Sequence, residues 1–326
     1  NPDQGAALYL LRGEGAGVPP SGIAGLVQHH GKALSYNNLL DLDGALLALA
    51  PLASGIAPPA TEGSGEPTPS RSDDGPRVVV ITGSTSGLGR EVARALGAEG
   101  WHVVLHGRNA EAGAALVAEI EAGPGSARFL AADFASMEAV RGFGEALLAE
   151  HDRIDLFLAN AGIWLDGAQG RQVNEAGHEM HFQVNYLSHF LLSRMLVPVL
   201  RETAAAHGEA RIIQVASTAQ SPIDFDDVML AAEGAHNRGY GQSKLAQILL
   251  AKDLAEELEG TGVLSVSLHP ATLMGTGMVL DRGIEPRATV EEGLEAVLQL
   301  VKGEGIRNGQ YFRGLEAVDP HPQASE

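Results

Sequence analysis

The chain contains no cysteine in 326 residues, which excludes disulfides, thiolate nucleophiles and cysteine-ligated zinc. Basic residues are scarce: 22 Lys+Arg face 41 Asp+Glu, a formal charge of -19. A surface of that sign argues against nucleic acid or an anionic membrane as the main partner. An anionic small molecule can still bind through local backbone amides. Long apolar runs are missing too. The most apolar stretch, ALLALAPLASGIA at 45–57, is short and broken by Pro51, so it cannot span a bilayer. No basic segment precedes an apolar one at the start, so no signal peptide is expected and a cytoplasmic location is. His102, His106, His178, His181 and His269 show no metal-ligand grouping with carboxylates. Structural or surface roles are expected for them, and no metal.

What is present is enough for a large core, with 44% hydrophobic residues and a mean hydropathy near zero. Residues 54–76, SGIAPPATEGSGEPTPSRSDDGP, lack any periodic apolar pattern and read as a disordered linker. They divide a front piece, 1–53, from a back piece, 77–326.

The back piece alternates strands and helices. Strands are predicted at 77–82, 102–106, 127–132, 154–159, 210–216, 263–268 and near 310–312. Helices are predicted at 87–99, 110–121, 136–150, 177–203, 239–259 and 290–302. Such alternation implies an α/β fold, a doubly wound parallel sheet with helices on both faces. Ligands of these sheets bind at the carboxyl edge, where the chain changes direction.

One stretch falls at such an edge. The apolar run Val78–Ile81 leads into TGSTSGLG at 82–89, and helix formers follow. Gly83 permits the tight turn. Gly87 and Gly89 lack side chains, so a pyrophosphate can approach the amides at the helix start. A glycine triplet alone is a weak signal, and its flanks make this one a nucleotide site.

Four further positions carry chemistry. Tyr240 and Lys244, in YGQSK, lie four apart on a predicted helix and share one face. A phenol titrates near pH 10, and a neighbouring ammonium would bring it toward the working range. Ser217 ends a strand in IIQVAST, placed either to bond a substrate oxygen or to cap a turn. Asn185, in HFQVNYLSHF, sits mid-helix, either solvated or opening the helix hydrogen bonds to hold a water.

Taken together these motifs resemble a short-chain dehydrogenase/reductase over residues 77–315. The glycine turn is 82–89, the Asn-Ala-Gly after the fourth strand is Asn160, Ala161 and Gly162, and Ser217, Tyr240, Lys244 and Asn185 follow family order. The resemblance implies a Rossmann fold. It also implies hydride exchange between a nicotinamide and a carbonyl or secondary alcohol. Tyr240 would be the general acid/base, Ser217 would orient the carbonyl, and Lys244 would lower the tyrosine pKa and hold the ribose. Asn185 would anchor a relay water. Cofactor contacts are expected from Gly83, Ser84, Ser86, Gly87, Leu88, Gly89, Asp133, Asn160, Ala161, Gly162, Tyr240, Lys244, Pro270 and Thr276. Pairing through the helices at 177–203 and 239–259 would give a homodimer or homotetramer.

The second strand ends LHGRN. Gly107 stands where an acidic residue would select NAD, and the guanidinium of Arg108 suits a 2′-phosphate, so NADP is expected. Ser86 replaces the second basic residue some NADP users carry in the glycine turn, which leaves NAD open. Ser217 and Tyr240 are 23 positions apart, longer than usual in the family. The insert IDFDD (223–227), YGQSKLAQ and HEMHFQVNYLSHFLLS (178–193) resemble the retinol dehydrogenase and protochlorophyllide reductase branch. That implies a lipophilic substrate. Ile163 and Trp164 are expected on the substrate side, with Trp164 as plain core the alternative. A flexible lid is expected over 273–288.

The front piece resembles the start of the transformylase domain of a bifunctional purine-biosynthesis enzyme, through NPDQGAALY and GKALSYNNLLDLDGALLAL (31–49). Asp3 stands where that family has His, and the Lys-His catalytic segment is missing. An inactive remnant is therefore expected. The rival readings are a cofactor-binding regulatory protein using residues 1–53 to recruit partners, and purine formyl transfer.

Overall fold

The computed structural model describes residues 75–324, so the transformylase-like piece and nearly all of the linker lie outside the described residues. The first strand, β1 (Val78–Ile81), is four branched apolar residues, all buried. A strand buried on both faces belongs inside a parallel sheet. Seven strands follow: β2 (His102–Gly107), β3 (Ser126–Ala131), β4 (Leu156–Ala159), β5 (Ala210–Val215), β6 (Val263–His269), β7 (Tyr311–Arg313) and β8 (Glu316–Val318). Their order is β3-β2-β1-β4-β5-β6-β7-β8, parallel throughout except for the β7–β8 hairpin. The chain moves outward through β2 and β3, then returns to pair β4 with β1. The crevice between those two strands is the topological switch point where such sheets bind ligands.

Helices cover both faces. On one lie α1 (Gly87–Ala98), α2 (Ala110–Glu121) and α7 (Val290–Lys302), their apolar stripes packed on Val79, Ile81, Val103 and Leu105. On the other lie α3 (Met137–Glu150), α4 (Ser188–His207) and α5 (Gly239–Glu257), over Val78, Val80, Phe157 and Ile212. Each such Leu, Ile or Phe contributes roughly 1.5–3 kcal/mol by burial. Among the described residues no helix is long and apolar enough to cross a membrane.

The structure differs from expectation at three places. The helix predicted over 177–203 starts late, because Gly177 turns the chain at φ +84° and the Glu179 carboxylate accepts from the amides of His181 and Phe182. Its first turns, Phe182–Leu187, are π-helix rather than α-helix. The strand β8 and the short helix α6 (Gly277–Leu280) are also new. Three or four residues are too few to show a period.

Candidate active site

The glycine turn is built by packing. Gly83, at φ +65°, lies so close to Ala161 that a Cβ would sit 2.8 Å from its Cα. At Gly89 a Cβ would meet the Gly83 carbonyl at 2.5 Å and Asn160 Nδ2 at 2.6 Å. Bare backbone at both positions lets the turn, the start of α1 and the Asn-Ala-Gly segment close on one another. Ser86 precedes α1 in extended conformation with no side-chain cap, and the first turn holds no acid. That end suits an anion. Gly87, at φ +54°, faces Thr276, whose Cγ2 would lie 3.3 Å from an added Cβ. Ser84 and Leu88 are buried beneath the turn. These features fit the pyrophosphate of a dinucleotide.

Three residues not expected among the cofactor contacts hold this cradle. His106 Nδ1 accepts from the Gly83 amide at 3.0 Å, so its proton is on Nε2, which meets the Ala132 carbonyl at 3.1 Å. Burial holds this imidazole down at about 4. Thr82 Oγ1 accepts from the amides of Asn160 and Ala161, both at 2.9 Å. It also lies 2.9 Å from Nε2 of His189, whose Nδ1 is 2.8 Å from the Asn185 carbonyl. A carbonyl can only accept, so Nδ1 carries the proton and Thr82 donates to Nε2. The usable signals were position: Thr82 opens the turn and His189 stands four after Asn185. Asn160 also serves the turn, its Nδ2 donating to the Thr82 and Gly83 carbonyls. Asp133 is exposed at the carboxyl edge after β3, where its Oδ1 accepts from Ala135.

Ser217 and Tyr240 pair with each other, and Asn185 and Lys244 meet beside Gly162. A Cβ there would sit 3.4 Å from Asn185 Oδ1 and 3.5 Å from Lys244 Nζ. Asn185 lies in the π-turn, its side chain accepting from Ile163 N at 2.8 Å and donating to Ser243 Oγ at 2.9 Å. Its backbone carbonyl accepts from His189 Nδ1. Ser217, two residues past β5, is hydrogen-bonded to the Tyr240 hydroxyl. The Ser217 carbonyl accepts from Tyr311 at 3.1 Å, which fixes that strand end.

The electrostatics depart from the sequence expectation. Burial is the largest influence on the Tyr240 phenol and pushes its pKa up; the Ser217 hydrogen bond and the Arg282 charge offset part of this. Lys244 does not bring it down here. Its Nζ lies 5.7 Å from the centre of the tyrosine ring and donates to the Val215 carbonyl and Gln247 Oε1, both at 2.8 Å. Burial lowers Lys244 itself to about 7.

On the open side, Trp164 and Tyr240 have ring centres 5.8 Å apart, and both keep some solvent access. Pro270 is buried after β6. The segment 273–288 returns to its own base, with Gly275 donating to Ala288 and Arg287 to Leu273. The stem is closed by a Met274–Ala288 bridge, and α6 and Thr276 lie within the loop. Arg108 is exposed directly after β2. At Gly107 a Cβ would approach Thr85 Oγ1 to 2.7 Å, so a side chain there would crowd Thr85.

Three histidines give a prediction for stability. His106 and His269 are held at about 4 and His189 at about 3 by burial, all below the ordinary 6.5. The unfolded chain therefore takes up protons that the native one resists, and stability falls as pH drops below 6.5. Between about pH 6.5 and 5, each histidine should remove about 2 kcal/mol. Thermal melts across that window should show Tm falling steeply. A flat profile would contradict the buried neutral imidazoles.

The comparisons agree with this geometry. The family described as short chain dehydrogenase matches residues 77–285. Human retinol dehydrogenase 12 is 31% identical over 264 residues, covering 76% of this chain and 81% of the relative. The RhlG/NADP active-site complex of Pseudomonas aeruginosa superposes with TM-score 0.60 at 26% identity, covering 74% of this chain and 95% of that one. The 3-ketoacyl-(acyl-carrier-protein) reductase of Brucella melitensis, complexed with NADH, shares the fold at TM-score 0.57 and 24% identity, over 73% and 96% of the two chains. The glycine cradle at the switch point and the Ser-Tyr-Lys-Asn cluster beside it thus sit within a family match spanning most of the sheet. This chain belongs to the short-chain dehydrogenase family and is a nicotinamide-dependent oxidoreductase acting on alcohol or carbonyl groups.

Proposed function

We propose that the protein is an NADP-dependent reductase or dehydrogenase of a lipophilic carbonyl compound or secondary alcohol, with Tyr240 as its acid/base. The observation that carries this reading is the grouping of Tyr240 with Ser217 and Lys244, and of Lys244 with Asn185 beside Gly162. When bound, the dinucleotide supplies or accepts the hydride. The amides of residues 84–89 and the uncapped start of α1 hold its pyrophosphate. Ala161, Pro270 and Thr276 would add contacts to it, and Asp133 would serve its adenine end. Ser217 orients the carbonyl oxygen and Tyr240 donates the proton to it. Lys244 holds the ribose hydroxyls. Asn185 acts by position: its side-chain amide pins Ile163 and Ser243, and the Ser243 hydroxyl donates to the Tyr240 carbonyl at 2.7 Å.

Arg108 and the crowded Gly107 position support NADP, because a guanidinium fork matches a phosphate and no carboxylate competes for the ribose. Trp164 and Ile163 offer the apolar wall that a lipophilic substrate needs, and the likeness to human retinol dehydrogenase 12 supports that class. Pairing through α4 and α5 into a dimer or tetramer belongs to the same proposal.

Cofactor oxidation with a panel of lipophilic aldehydes and ketones tests the reading. Turnover with NADPH exceeding that with NADH is expected. Dinucleotide binding without turnover of any carbonyl or alcohol would overturn it and favour a regulatory protein.

A further inference from the structure

The reaction as proposed does not use Arg282, although this residue stands at the site. It follows α6 in the loop that covers the open side, and its guanidinium carbon lies 4.6 Å from the centre of the Trp164 ring. Trp164 in turn lies beside Tyr240. The three side chains therefore form a continuous wall, a cation on an indole on the proposed acid. Stacking on Trp fixes the guanidinium plane while leaving its edge N–H groups available.

Its charge is not spent elsewhere. Among the described residues Arg282 makes no ion pair, and its one hydrogen bond goes to the Met278 carbonyl. The neighbouring Asp281 carboxylate is turned back toward Gly277, where an added Cβ would lie 3.4 Å from its Oδ2. In a chain with 41 acidic and 22 basic residues, an arginine without a carboxylate beside a reactive centre has a charge available to an anionic ligand. The residue is half-buried, so an ion pair formed there would be only partly screened by solvent.

We propose that Arg282, held on Trp164 beside Tyr240, is the anion-binding arm of the substrate site, and that the natural substrate is an oxo acid or the matching hydroxy acid. The inference rests on the reductase reading and narrows its substrate class. The lipophilic part of the molecule lies on Trp164, and its carboxylate accepts from the guanidinium fork. The carbonyl carbon gains hydride from the reduced nicotinamide and its oxygen gains the Tyr240 proton. The carboxylate leaves unchanged.

Phenylglyoxylate and its methyl ester form a matched pair of probes, assayed with full-length protein and NADPH. The acid is expected to have the higher kcat/KM. In Arg282→Ala the acid should lose about 10- to 100-fold more than the ester, chiefly in KM, as removal of a charge-assisted hydrogen bond implies. Arg282→Lys should restore part of the difference, since it keeps the charge and not the fork. A wild-type enzyme that prefers the ester would overturn the inference. So would equal losses on both probes, which would assign the guanidinium to the dinucleotide or to the Tyr240 environment. If neither probe nor any neutral carbonyl is reduced, the reductase reading itself fails. Robust turnover of neutral carbonyls without acid preference removes only the present step.

Discussion

Tyr240→Phe is expected to reduce turnover by about 10³-fold while leaving the dinucleotide Kd near its wild-type value. The substitution deletes one hydroxyl and keeps the ring, so the contacts with Trp164, His181 and Lys244 survive. What is lost is the proton delivered to the carbonyl oxygen. Because burial raises the phenol pKa, the hydroxyl is protonated at neutral pH and ready to act as an acid. Carbonyl reduction should therefore be flat through neutrality and decline in alkali. Alcohol oxidation needs the deprotonated form and should rise with pH. Steady-state rates in both directions, with Kd from cofactor titration, provide the check. A variant that keeps most of its activity would remove Tyr240 from the chemistry.

Arg108→Asp carries the second large expectation. Removing a guanidinium from a phosphate forfeits a charge-assisted hydrogen bond, and a carboxylate in its place adds repulsion. The KM for NADPH should rise by about 10²-fold, with NADH much less affected. Arg108 is exposed, so the fold should tolerate the change. Placing an acid at 107 instead is a poorer route to NAD, because a Cβ there meets Thr85. Equal losses with both dinucleotides would refute the phosphate assignment.

Much of the fold was legible because parallel strands buried on both faces write continuous apolar runs. Val78–Ile81 and Leu156–Ala159 are such runs. The motif residues were legible for a related reason: glycines and polar groups at strand ends break the pattern where the sheet opens. The supporting residues were not. His106 read as an ordinary histidine and His189 drew no attention, and only the folded chain brings them to the Gly83 amide and to Thr82 and Asn185, across 23, 107 and 4 positions. The π-turn at Phe182–Leu187 was hidden because its apolar spacing mimics an α-helix. Spacing puts Lys244 beside Tyr240, whereas burial raises the pKa of the phenol and lowers that of the ammonium. Arg282 was silent, because its meaning lies in what it is stacked on and in the carboxylate it lacks.

The most direct test of the central claim is a crystal structure of the NADP complex. The pyrophosphate should lie on the amides of residues 84–89, with the nicotinamide ribose within hydrogen-bond reach of Tyr240 and Lys244. The Tyr240 hydroxyl should face the same gap as the hydride-bearing carbon. A nicotinamide ring seated on the far side of Gly162, beyond reach of that hydroxyl, would contradict it.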